Sequence, residues 1–286
     1  MKVRRLLTLV LTLGLLLALS LPAQAADLTY EVSGGKLYFD ATTGTITRAD
    51  ETVTEANIPA EIYGVTVTAI GDYAFNQHKE LVSVTIPSTV TTIGRQAFGA
   101  CSSLEQVVLP DSVTSLGQGV FYGCSGLTDV TLSKNLTSIP RDTFAACSSL
   151  TGVTLPDGIT SIGYDAFSGS GLTSLTLPNS VTTLANSSLA NCKSLTSLYI
   201  PDSVTYLGEW ALSNCTSLTS VRLPAGITTL PMRLFENCIS LETCIIPSGV
   251  TQMQDAFRFC RSLKTVTIPV SVTQIASGTF YGCDSL

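Results

Sequence analysis

Charge is scarce in this chain. Asp, Glu, Lys and Arg make up 13% of its 286 residues, against about 25% in an ordinary globular protein. The 15 basic residues face 21 acidic ones and form no cluster along the sequence. Nucleic-acid binding needs a cationic footprint, so that class is excluded, and attraction to anionic lipid is disfavoured for the same reason. Histidine occurs once, at His78, and one His without partners makes neither a persuasive Ser-His-Asp arrangement nor a metal site. The CxxC spacing of a structural zinc site is missing. No phosphate loop, paired-carboxylate cleft or dinucleotide fingerprint is present, and Gly117-Gln118-Gly119 is one turn of a repeat. These absences leave no catalytic, cofactor-binding or metal-ligating residue to name. They point to a protein that is not an enzyme and needs no cofactor.

Long apolar runs are also absent after the first segment. MKVRR is followed by the uninterrupted apolar run Leu6 to Leu21, and then by Ala23 and Ala25 at the spacing of a signal-peptidase site. The run is 16 residues, short of the roughly 20 that a spanning helix needs. Residues 1–25 therefore read as a signal peptide cleaved near Ala25, which implies a secreted or cell-surface protein with no membrane insertion of the mature chain. No Cys follows the run to accept a lipid. Loss of Lys2, Arg4 and Arg5 takes the basic count from 15 to 12 against 21 acidic residues, a net charge of −9.

What the chain does have is repetition. Pro87, Pro110, Ser133, Pro156, Pro178, Pro201, Pro224, Pro247 and Pro269 recur at steps of 22 or 23 residues. Each repeat opens on Leu, from Leu81 and Leu104 to Leu241 and Leu263. An apolar pair two residues apart follows, as in Val84-Ile86. Single apolar positions come next, as at Val90 and Ile93, and then an aromatic or Leu position: Phe98, Phe121, Phe144, Phe167, Leu189, Leu212, Phe235, Phe257 and Phe280. A step of two is that of a strand with one buried face. The Pro ends it in a turn, and V-T-x-I reads as a second extended segment. The three-residue spacing of G-x-x-A-F-x-x-C predicts a single turn of helix, α or 3₁₀. No unit this short can bury its apolar side chains alone, whereas stacked units pile identical columns into continuous ladders. The fold class is an α/β-type repeat solenoid dominated by β, with a parallel strand ladder, over residues 58–286. Residues 26–57 stand apart: alternation in Leu28-Tyr30-Val32 and Leu37-Phe39 around Ser33-Gly34-Gly35 predicts a β-hairpin that caps the first rung.

CSSLTGVTLPDGITSIGYDAF (147–167) and CTSLTSVRLPAGITTLPMRLFENC (215–238) resemble the repeats of BspA-like, treponemal-type, leucine-rich repeat surface proteins. The resemblance covers residues 57–286 and rests on order, spacing and copy number together. It implies export, surface display, and binding of other proteins or surfaces without catalytic residues.

Nine cysteines lie in the repeats, eight of them in one column and Cys244 in the strand core. Rungs ~4.8 Å apart are within disulfide range, but stacked side chains point in parallel, so buried free thiols fit better. His78 falls in the same column. Asp111, Asp157 and Asp202 recur after the Pro, but Lys134 shares their column, so turn chemistry explains them better than calcium. The column of Thr91, Thr114 and seven further threonines reads as a hydroxyl ladder between rungs.

Specificity in a solenoid sits where copies differ outward. Between the two strand core positions the column is mostly Thr, broken on three consecutive rungs by Tyr199, Arg222 and Ile245. Tyr and Arg are common binding anchors, and Tyr206 and Trp210 enlarge the aromatic neighbourhood. The set reads as a candidate partner-binding patch, with drift at a tolerant surface position as the competing explanation. The partner class is a protein, of host matrix or of a microbial surface, with a glycan as the other class. Rival readings are a carbohydrate- or cell-wall-binding module and the targeting arm of a larger secreted enzyme.

Overall fold

The computed structural model describes residues 28–286, so the signal-peptide reading of residues 1–25 lies outside the described residues. The chain starts with β1 (Leu28–Val32) and β2 (Gly35–Asp40), an antiparallel hairpin with Leu28 opposite Phe39 and Val32 opposite Gly35. Gly34 takes φ of +84° at its tip, a backbone conformation that suits glycine. β3 (Thr45–Ala49) pairs antiparallel with β2 and then parallel with Ala69–Ile70. β4 (Glu55–Asn57) pairs parallel with Ser83–Thr85. Parallel stacking thus begins before residue 58.

Beyond this point the chain winds as a succession of short strands and turns, and each coil has three sides. The first side carries V-x-I, the second V-T-x-I, and the third is the arc holding the Phe and Cys columns. On the first side β4, Ser83–Thr85, Gln106–Val108 and Asp129–Thr131 form one sheet, while Ser197–Tyr199 with Ser220–Arg222 and Thr243–Ile245 with Thr265–Thr267 form two more. In β4, Ser83–Thr85, Gln106–Val108, Asp129–Thr131, Ser197–Tyr199 and Thr243–Ile245 the pattern is exposed, buried, exposed, as the two-residue step requires.

The second ladder is interrupted twice, and proline is the cause. One sheet ends at Ser115–Leu116, the next runs from Ser138–Ile139 to Tyr206–Leu207, and the third starts at Thr229–Leu230. Where the column after the second strand is Gly, its N–H bonds the previous coil: Gly94 to Ile70 O at 2.7 Å, Gly117 to Ile93 O at 2.7 Å, Gly208 to Leu184 O at 2.8 Å. At the two breaks that position is Pro140 and Pro231, which have no N–H to give. The residues left without a donor, Leu116 and Leu207, are each 8% exposed, while Ile93, Ile139 and Leu184 in the same column are 0%.

The arc corrects the expected helical turn: among the described residues there is no helix. Each arc but the last instead carries left-handed residues four apart, Gln96 and Ala100, Asp142 and Ala146, Asn191 being four after Ser187, Asn214 four after Trp210. Its N–H groups then alternate in direction. Those of Gln96, Phe98 and Ala100 donate to Gln118, Val120 and Tyr122 of the next coil, and those of Ala97, Gly99 and Cys101 close turns onto Gly94, Gln96 and Phe98. The arc is a third inter-coil ladder, which a helix could not be, since a helix spends its N–H groups on itself.

All three sides face one continuous core. Phe75, Phe98, Phe121, Phe144 and Phe167 stack at 5.2 to 5.7 Å between centroids and within 15° of parallel. Leu189 and Leu212 continue the column, and Phe235, Phe257 and Phe280 resume it. The coils pack so closely that a Cβ on Gly208 would stand 2.3 Å from Asn186 N, whereas one on Gly226 would meet nothing within 4 Å. Gly208→Ala should therefore destabilise the protein by about 1–3 kcal/mol through forced separation of two coils. Gly226→Ala should stay within about 0.5 kcal/mol of the parent. Denaturant melts of both variants check this, and equal stabilities would contradict it.

Candidate interaction surface

Tyr199 and Arg222 face each other across the parallel pair Ser197–Tyr199 and Ser220–Arg222. Both project outward because the core positions beside them, Leu198 and Val221, are taken by the apolar column. The Arg222 guanidinium carbon lies 4.7 Å from the Tyr199 ring centroid. Its Nη2 donates to Asp202 Oδ2, 2.6 Å, and its Nη1 to Ile200 O, 3.0 Å. Asp202 Oδ1 also accepts the Ala225 N–H at 2.7 Å. The Arg222 hydrogen bond, and after it that of Ala225, holds the Asp202 carboxyl below its ordinary value. Arg222 is thus clamped between a ring and a carboxylate, and does not project freely as the sequence alone suggests. Tyr199 remains 57% exposed.

Ile245 stands on the neighbouring strand Thr243–Ile245, which lies beside Ser220–Arg222 without ladder bonds to it. It is 84% exposed, in a position where an isolated aliphatic side chain gains nothing from the fold itself. Tyr206 and Trp210 are on other sides of the coil. Tyr206 belongs to the second ladder, where its hydroxyl donates to Asn186 Oδ1 at 3.3 Å. Trp210 is in the arc, left-handed at φ 54°, with Arg233 5.9 Å from its ring. The five candidates therefore divide into Tyr199, Arg222 and Ile245 on one face, and Tyr206 and Trp210 around the corner. Val108, 62% exposed on an earlier rung, is a further large apolar group of the first face that sequence reasoning passed over.

The first face also contains an opening. Residues 151–155 and 173–177 form no strands, and among the described residues no backbone hydrogen bond joins 129–132 to 152–155. A cleft of about 620 Å³ lies there, bordered by Asp129, Thr131, Lys134, Gly152, Thr154 and Thr176. The repeats depart from their regular spelling on either side of it, with Ser133 in the Pro column and a coil one residue short ending at Pro178.

The other columns resolve as structural devices. Asp111 accepts the Lys134 N–H at 3.2 Å and pairs with its ammonium at 3.1 Å, so it ties one turn to the next. The threonine hydroxyls bond the backbone carbonyl of the preceding Thr, as from Thr160 to Thr137 O at 3.0 Å and from Thr251 to Thr228 O at 3.1 Å. The hydroxyl ladder between rungs thus runs from side chain to backbone carbonyl. All nine thiols are free. Cys101, Cys124 and Cys147 donate to Phe75, Phe98 and Phe121 carbonyls at 2.9 to 3.1 Å, and the pattern continues to Cys283 and Phe257. Ser170 stands in for Cys in the shortened coil, 3.4 Å from Cys192 Sγ. His78 closes the column, its Nε2 3.3 Å from Ala49 O and its Nδ1 3.2 Å from Asn76 O. Burial pushes the Cys192 and Cys244 thiols up to about 11 and about 12, away from the reactive thiolate. Among the described residues no three His, Cys, Asp or Glu side chains gather as metal ligands, and no helix is long and apolar enough to cross a membrane.

Comparison with known proteins bears on this arrangement. The profile described as BspA type Leucine rich repeat region matches in six copies over residues 68–196 and 160–286. Among solved structures, a leucine-rich repeat protein from Bacteroides ovatus aligns at 24% identity and a TM-score of 0.54, over 90% of this chain and 84% of that one. A leucine rich cell surface protein from Faecalibacterium prausnitzii aligns at 28% identity and a TM-score of 0.48, over 91% and 94%. The pneumococcal vaccine antigen PcpA aligns at 20% identity and a TM-score of 0.47, over 79% and 68%. No curated protein matches the chain.

The thiol ladder yields a prediction. The protein, denatured without reductant, should titrate close to nine free thiols, and in the native state Cys283 should react first because it alone is not fully buried. A titre of one or none would mean that disulfides had formed. Cys124→Ala should cost about 1–2 kcal/mol through a small cavity.

Proposed function

The chain belongs to the BspA-type leucine-rich repeat family, and on that premise we propose that it is an exported, non-catalytic protein that binds a protein partner at the bacterial cell surface. The leading segment of residues 1–25 supports export. The scarcity of charge, the single histidine and the use of polar columns for coil-to-coil bonds support a binding role without chemistry. In this reading the first-strand face is the docking surface, for a protein of host matrix or of a neighbouring microbial surface.

The observation that carries the reading is the pairing of Tyr199 with Arg222 beside the 84% exposed Ile245. Their surroundings on the ladder are mainly Ser and Thr, so these groups rise above a low polar floor. The Arg222 clamp fixes the Tyr199 ring before any partner arrives, which lowers the ordering cost of binding. An aromatic anchor, a cation and an aliphatic group at the centre of a small-residue face is the composition of a binding hot spot.

The test is binding of the full mature chain to an immobilised panel of matrix and bacterial surface proteins. Tyr199→Ala combined with Ile245→Ser should weaken the interaction at least about tenfold, or about 1.4 kcal/mol, with melting unchanged. Arg222→Ala should weaken it and also lower the melting temperature, because it releases Asp202 and Ile200 O. Thr131→Ala and Thr154→Ala on earlier rungs serve as controls with little effect. If controls and anchors weaken binding equally, recognition is spread along the ladder and the anchor reading is wrong. If none has an effect, the first-strand face is not the binding surface.

A further inference from the structure

The outer side of the arc carries a second surface of different chemistry. The column one residue after the Phe position reads Ala145, Ser168, Ala190 and Ser213 on four successive coils, and then Glu236, Arg258 and Tyr281. Winding brings Arg233 up to the neighbouring pair Arg258 and Arg261. Arg233 Nη1 and Arg258 Nε both lie 3.7 Å from the Glu236 carboxylate. The Arg258 guanidinium sits 5.2 Å from the Phe259 ring centroid and 5.1 Å from that of Tyr281, and the two rings meet edge to face at 5.3 Å. Arg233 reaches over Trp210. A hollow of about 290 Å³ opens among Asn214, Glu236, Asn237, Phe259 and Arg261.

The charge here runs against the rest of the molecule. Two guanidiniums share the Glu236 carboxylate and a third, Arg261, borders the same hollow, in a chain with more acid than base. Of the other acids nearby, Asp255 turns toward the Gly278 N–H, 3.1 Å away. Arg141 and Arg222 elsewhere are hydrogen-bonded to aspartates. Among the described residues Arg233, Arg258 and Arg261 donate no hydrogen bond, and the Nε atoms of Arg233 and Arg258 are buried without an acceptor. The buried Nε atoms are out of an anion's reach, and it is the outer edges of these partly exposed guanidiniums that are open to one.

The rings and amides define the rest of the ligand. Tyr281 is 60% exposed, and with Phe259 and Trp210 it offers flat apolar faces between the cations. Asn237 Nδ2 donates to Asn214 Oδ1 at 2.9 Å, which leaves further amide donors and acceptors for hydroxyls. The arc has no free strand edge to offer a peptide backbone, since its N–H groups alternate between the next coil and its own turns. We propose that this arc surface binds an anionic polysaccharide. Carboxylate or sulfate groups engage Arg233, Arg258 and Arg261, and sugar faces lie on Tyr281, Phe259 and Trp210. The site is separate from the first-strand face and independent of it.

Binding of the full mature chain to four probes tests the proposal: heparin oligosaccharide, polygalacturonate oligosaccharide, neutral dextran and a polyglutamate peptide. One or both anionic saccharides should bind, and the one preferred identifies sulfate or carboxylate as the group recognised. Dextran should not bind, and added salt should weaken the interaction, as for any partly exposed charge pairing. Arg261→Gln, at an exposed position, should weaken binding at least threefold, and combination with Arg258→Gln at least tenfold. Glu236→Gln should tighten it severalfold by freeing two guanidiniums, an effect that a purely structural ion pair would not produce. Tyr199→Ala should leave it unchanged. The proposal fails if neither anionic saccharide binds, if Arg261→Gln and Glu236→Gln leave binding unaltered, or if polyglutamate binds as tightly as the saccharides.

Discussion

Each coil leaves backbone donors and acceptors along both of its edges, and only the next coil can take them. On all three sides the coil-to-coil hydrogen bond is the connection on which the rest depends. Where it runs unbroken, as from Ala69–Ile70 through Thr92–Ile93 to Ser115–Leu116, identical side chains fall into register and the core column beneath them closes. Where Pro140 and Pro231 remove a donor, the sheet divides and the buried leucine of the coil before it becomes slightly exposed. The polar columns serve the same end. Asp111 and Asp202 accept N–H groups from the following turn, and the threonine and cysteine side chains donate to carbonyls of the preceding coil.

This division of labour explains why so little of the chain is available for recognition. The threonine and cysteine side chains that bond between coils recur in nearly every copy, so they carry no information. Recognition falls to positions that face outward and differ between copies. Two such groups stand out on different sides of the stack. One is Tyr199 with Ile245, steadied by Arg222, on the first-strand face. The other is the arginine and aromatic cluster around Arg258 on the arc. The two differ in chemistry, one mainly apolar and the other cationic, and suit partners of different kinds.

The repeat, the strand ladder and the buried columns were legible because each rests on a periodicity of apolar residues. The hairpin of β1 and β2 was legible from alternation around Ser33-Gly34-Gly35. The arc was not. Its three-residue apolar spacing is shared by a helical turn, and the deciding signal is polar: Asn191, Asn214 and Asn237 and the glycines Gly123, Gly169 and Gly282 occupy a column that needs positive φ. The breaks at Pro140 and Pro231 were written in the Gly column but acquire meaning only once its N–H is known to bond the preceding coil. Of the candidate site, the adjacency of Tyr199 and Arg222 followed from register. The Asp202 clamp did not, because it depends on side-chain reach across a turn. The arginine cluster was hidden, since Arg233 meets the pair Arg258 and Arg261 only through winding.

Residue-resolved native-state hydrogen exchange tests the central claim most directly. The account predicts slow exchange along the arcs for both sets of amides, those of Gln96, Phe98 and Ala100 that reach the next coil and those of Ala97, Gly99 and Cys101 that close turns. It predicts comparably slow exchange in Gln106–Val108 and markedly faster exchange in residues 152–155, where the first ladder lacks its bonds. Fast exchange at Gln96, Phe98 and Ala100, or protection of residues 152–155 equal to that of Gln106–Val108, would contradict it.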